Sequence, residues 1–121
     1  DHRDLHSFPT RRSSDLENAV AAMLLKHVHF LQDARGQPAG LHYIRTKDGT
    51  EVDFALSNDK NLTHLIECKL SNNTPHRALG SFSGRFPQVE AIQLVRDLRQ
   101  EEYRSAIRIT DAALWLAGLT A

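Results

Sequence analysis

From Glu17 onward, apolar residues return at intervals of three and four: Val20, Met23, Leu24, Leu25, Val28 and Leu31. That spacing predicts an amphipathic helix ending near the breaker region Gly36 to Gly40. The pattern then turns strand-like. Leu41 to Thr46 and Glu51 to Leu56 read as strands, and Lys47-Asp48-Gly49-Thr50 between them contains the Asp-Gly pair that favours a hairpin. Beyond the polar loop Ser57 to Asn61, a third strand is expected from about Leu62 to Leu70, with Leu65, Ile66 and Cys68 suggesting burial. Ser71-Asn72-Asn73-Thr74-Pro75 predicts a turn and helix start, and His76 to Phe86 a short helix, weakened by Gly80 and Gly84 and ended by Pro87. Val89 to Val95 reads as a fourth strand and Arg96 to Tyr103 as a charged connection. Ala106 to Ile109 is expected as a further short strand and Asp111 to Leu119 as a small closing helix bearing Trp115. Helix, three strands, helix, strand is an α/β order.

Alternation also sorts the polar residues. In the second strand Glu51, Asp53 and Ala55 are expected on one face and Val52, Phe54 and Leu56 on the other, so Asp53 would project from a strand whose far side is core. Glu67 and Lys69, two apart in the third strand, share a face at a separation of about 6.6 Å. An antiparallel pairing could bring Asp53 and Glu67 to one divalent ion. Magnesium takes oxygen ligands, here Asp53, Glu67 and the main-chain carbonyl of Cys68, with water completing the shell. Phosphodiester cleavage would use such an ion to polarise phosphate and generate hydroxide, with Lys69 orienting water or stabilising developing charge.

Composition narrows this picture. Fifteen Lys and Arg balance fifteen Asp and Glu. Neutrality argues against a strongly basic nucleic-acid module, though not against metal-dependent contact with phosphate. The lone cysteine, Cys68, rules out an intramolecular disulfide framework and fits a cytoplasmic setting. No apolar run approaches the roughly 20 residues of a membrane span, so no membrane partner is expected. Residues 1–16, Asp1 to Leu16, resemble the in-frame translation of a DNA-sequencing adapter and are set aside as an artefactual tail. The domain is then expected to occupy residues 17–121 and to be truncated at its N-terminus.

These elements resemble the PD-(D/E)xK nuclease-like superfamily, whose restriction-endonuclease-like core is a helix, a three-strand antiparallel meander, a helix and a strand. More narrowly, Leu16-Glu17-Asn18, Tyr43-Ile44-Arg45-Thr46-Lys47, Glu51-Val52-Asp53-Phe54 and Ile66-Glu67-Cys68-Lys69 resemble a C-terminal domain of unknown function found on AAA-type ATPases of bacteria and archaea. The resemblance implies metal-ligand roles for Asp53 and Glu67, a catalytic role for Lys69, and Glu17 as a helix-borne accessory acid. It also implies DNA as a partner and an N-terminal ATPase domain elsewhere in a longer chain. ATP would bind only to that missing part, because no G-x-x-x-x-G-K-[ST] occurs here. The superfamily's proline is absent before Asp53, where Val52 stands.

Plainer readings stand beside these. Asp53, Glu67 and Lys69 could form a solvated cross-strand salt bridge, and Glu17 could serve only the helix dipole. The same fold could equally be a non-catalytic regulatory or protein-interaction module. His27, His29, His42, His64 and His76 lack paired ligand spacing, Cys68 reads as a small buried hydrophobe, and Phe82, Phe86 and Trp115 as core or sheet cover. Arg45 and Lys47 flank the hairpin, where they could meet phosphate or simply water.

Overall fold

The computed structural model describes residues 12–45, 51–71 and 75–119. The expected hairpin turn at Lys47 to Thr50, and most of the segments Asp1 to Leu16 and Ser71 to Pro75, lie outside the described residues. Helix α1 (Arg12–Arg35) starts before Glu17, with Asp15 in its first turn where the helix dipole favours a negative charge. It stops at Gly36, whose φ of 61° lies in the left-handed region, and the Gln37 N–H closes the end on the Leu31 carbonyl at 2.9 Å. Strands β1 (Gly40–Arg45), β2 (Glu51–Ser57) and β3 (Leu62–Lys69) form the antiparallel meander. Helix α2 (Arg77–Arg85) then leads to β4 (Glu90–Val95), which pairs parallel with β3. The α/β order expected from the sequence is therefore present.

Beyond it the chain adds β5 (Glu102–Arg104), β6 (Ile107–Asp111) and α3 (Ala112–Leu119), giving one sheet in the order β1-β2-β3-β4-β6-β5. The connection expected after Arg96 thus contains a short edge strand. Its three residues are too few to show an alternating pattern, and the turn that follows holds Ser105 and Ala106 at positive φ with no glycine to mark it. Asp111 begins α3 as a cap: its Oδ2 accepts from the Leu114 N–H at 3.1 Å and its Oδ1 from the Leu98 N–H at 2.9 Å.

The sheet is buried on both faces. Val20, Leu24 and Val28 of α1 and Ala112 and Leu116 of α3 pack on Phe54, Leu56, Ile66, Cys68, Ile92 and Leu94. Ala78, Leu79 and Phe82 of α2 pack on the opposite face against Ala55, Leu65, Ala91, Val95, Ile107 and Ile109. Three layers result, and the inner strands β3 and β4 are buried on both sides from Leu65 to Cys68 and from Ala91 to Val95, with Glu67 and Gln93 the polar residues among them. No described helix is long and apolar enough to cross a membrane.

One detail corrects the simple alternation. From the pair His42↔Ala55 to the pair Ile44↔Val52, β1 advances two residues while β2 advances three, so a β-bulge at Asp53 and Phe54 lies opposite Tyr43. The extra residue reverses the parity. Val52 therefore faces the α2 layer with Ala55, whereas Phe54 and Leu56 face α1 and α3. Val52, Phe54 and Leu56 do not share one face.

Candidate functional site

The bulge re-aims Asp53 toward β3. Paired residues of β2 and β3 run as far as Phe54↔Ile66, and beyond that point carboxylates join the two strands. Asp53 Oδ2 accepts from the Cys68 N–H at 2.9 Å, and Glu67 Oε1 accepts from the Asp53 N–H at 3.1 Å. Two side chains have taken over rungs of the ladder. Each spends one oxygen on the main chain, which fixes the carboxyl plane and leaves a second oxygen for another ligand.

Glu67 is 6% exposed and Asp53 is half-buried. Burial and the neighbouring Asp53 charge push the Glu67 carboxyl up to about 8, against the hydrogen bond from Asp53 N–H and the nearby Lys69. Burial also raises the Asp53 carboxyl, opposed first by the Cys68 hydrogen bond and then by His76 and Lys69. Two neighbouring carboxyls do not both ionise readily without a cation, and the cost falls most on Glu67, the more deeply buried of the pair.

Lys69 follows Glu67 on the same strand and is half-buried. Its charge acts on Asp53, Glu67 and His76, and its ammonium forms no ion pair with a described residue. Glu17, half-buried near the start of α1, is close enough to raise both Glu67 and the Cys68 thiol. The four residues singled out from the sequence therefore share one electrostatic neighbourhood. Cys68 is buried, as expected for a small hydrophobe. Arg45 turns to Glu51 across the β1–β2 pair at 2.8 Å, and Lys47 lies outside the described residues.

Two further residues reach the site: His76, which the sequence reading set aside for want of paired ligand spacing, and Gln93, which it passed over. Nε2 of His76, immediately before α2, lies 3.6 Å from Glu67 Oε2. Burial and Lys69 lower the His76 pKa, opposed by the nearby Glu51 main chain and by Asp53. Gln93 is wholly buried on β4 beside Glu67, and its Oε1 accepts from the His76 N–H at 2.8 Å. Gln93 had a signal: it is a lone amide inside the apolar run Val89 to Val95. His76 had none, since its contact spans a whole helix and strand crossover.

Among the described residues no three His, Cys, Asp or Glu side chains close to metal-ligand spacing. Asp53 and Glu67 alone nevertheless suit a hard divalent cation, which accepts two carboxylates and fills its shell with water and substrate oxygens. One strand away, the Arg96 N–H donates to the Lys69 carbonyl at 3.2 Å. There a shallow hollow of about 410 Å³ opens, lined in part by Ser71, Arg96, Arg99 and Gln100.

Comparisons with curated proteins and with solved structures find no match. A family model described as a domain of unknown function (DUF4143) matches residues 14–114, and the chain belongs to that family.

Proposed function

We propose that this domain is a magnesium-dependent nuclease-like module that binds and cleaves DNA phosphodiesters, and that it works in the cytoplasm at the C-terminus of an AAA-type ATPase. The observation that carries the reading is the convergence of Asp53 and Glu67, each pinned to the other's strand by a backbone hydrogen bond. Such a pair is costly as a structural device. Burying two acids that repel each other is explained by a ligand that neutralises them, and a divalent cation does so directly.

In this reading Asp53 and Glu67 would hold the ion, which would supply Lewis-acid polarisation of the phosphate. Lys69 orients the attacking water and stabilises charge on the phosphoryl oxygens. A bond forms between water oxygen and phosphorus while the ester P–O bond breaks; the water gives up a proton and the leaving oxygen gains one. Glu17 assists from α1 as an accessory acid. Arg96 and Arg99 line the adjoining hollow, where they would meet neighbouring phosphates.

A plasmid-cleavage and magnesium-binding assay comparing the natural protein with Asp53→Asn and Lys69→Ala tests this. Asp53→Asn is expected to abolish both activities, and Lys69→Ala to slow cleavage about 10²- to 10³-fold with ion binding retained. Equal cleavage by all three proteins refutes the enzymatic reading. Ion and DNA binding without cleavage would mark the fold as a non-catalytic regulatory module.

A further inference from the structure

We propose that His76 is a positioning residue for the Asp53–Glu67 pair, holding the outward oxygen of Glu67 in place and so setting the pair's affinity for a divalent cation. The inference rests on the cation-binding part of the function proposed above and does not require cleavage. His76 is fastened by its main chain. Its N–H donates to Oε1 of Gln93 at 2.8 Å, and Gln93 has no exposed surface. Nε2 of His76 then stands 3.6 Å from Glu67 Oε2, with the His76 side chain 26% and the Glu67 side chain 8% exposed.

That separation exceeds a direct hydrogen bond. It is short enough to limit the rotamers of Glu67, whose other oxygen is already committed to the Asp53 N–H. Glu67 is thus held from both sides. Gln93 is the Cα partner of Glu67 in the parallel pair β3–β4, so one rung of the sheet carries the acid and the amide that places its neighbour. A wholly buried amide at a central strand position is costly unless it is hydrogen-bonded. Residues that orient a ligand in this way typically change metal affinity by about 10- to 100-fold.

The test is manganese affinity, followed by the electron paramagnetic resonance of free Mn²⁺, in the natural protein, His76→Ala and His76→Gln, with the metal-free thermal midpoint of each. His76→Ala is expected to weaken Mn²⁺ binding about tenfold while its metal-free midpoint stays at the natural value. His76→Gln places an amide N–H near the Nε2 position and is expected to recover most of the affinity. Unchanged affinity in His76→Ala overturns the proposal. So does a glutamine variant as weak as the alanine one, or a loss of affinity matched by a fall in the metal-free midpoint, which marks a purely structural residue. Mn²⁺ binding without DNA cleavage by the natural protein would sink the nuclease reading and leave this inference standing, whereas no Mn²⁺ binding at all would sink both.

Discussion

Replacing Glu67 by glutamine should make the metal-free protein more stable in mild alkali. The amide keeps the shape of the side chain and an oxygen to accept from the Asp53 N–H, now at 3.1 Å, so the strand tie survives. What disappears is a titration. In the folded protein Glu67 keeps its proton up to about 8, whereas in the unfolded chain it loses it near the ordinary value of 4.5. Between those limits the native state binds more protons than the unfolded state, so stability is full below about 4.5 and drains away as pH rises to about 8. At about 1.4 kcal/mol per pH unit the loss is on the order of 5 kcal/mol as an upper limit, because Asp53 shares the repulsion. A realised gain of about 2–4 kcal/mol for Glu67→Gln at pH 9, with near equality at pH 5, would move a urea midpoint by about 1–2 M at a slope of about 2 kcal/mol/M. Urea titrations of both proteins at pH 5 and pH 9 read this directly. A variant less stable than the natural protein at pH 9, or one offset by the same amount at both pH values, refutes the reasoning. Magnesium should act oppositely: at a hundred times its dissociation constant it adds about 2.7 kcal/mol to the natural protein and little to Glu67→Gln.

Other expectations concern the scaffold. Asp111→Ala removes the acceptor for both the Leu114 and the Leu98 N–H and should cost about 1–2 kcal/mol by chemical denaturation, with Asp111→Asn recovering part of it. Gly36→Ala forces a side chain into φ of 61° and should cost about 1 kcal/mol, although space around that position is open; a neutral result would mean that the end of α1 rearranges freely. Ile92 is wholly buried at the sheet centre, so Ile92→Val should cost about 0.5–1.5 kcal/mol and Ile92→Ala about 2–5 kcal/mol.

Much of the fold was legible because its signals are local. The three- and four-residue spacing from Val20 to Leu31 placed α1, and the apolar runs at Leu65 to Cys68 and Val89 to Val95 marked the two strands buried on both faces. Asp53, Glu67 and Lys69 were legible as a group because two short strands joined by the short polar loop after Ser57 bring them near each other in few steps. The bulge at Asp53 was not. An added residue leaves no trace in composition, and strict alternation assigned Val52 to the wrong side of the sheet. His76 escaped for a different reason: its contact with Glu67 depends on how α2 begins over β3 and β4, a tertiary relation with no period in the chain. Strand β5 is formed by its partner β6, not by any preference of Glu102 to Arg104.

Because the acids replace rungs of the β2–β3 ladder, the amide protons of Asp53 and Cys68 are each wired to one carboxyl of the pair. Loss of a proton from the pair, or arrival of a cation, changes the charge on the very oxygens those N–H groups donate to, and with it their resonance frequencies and exchange rates. The site therefore carries a built-in spectroscopic gauge. Two backbone cross-peaks in a ¹⁵N-labelled sample, free of any added label or substrate, would record its occupancy across pH and ion concentration.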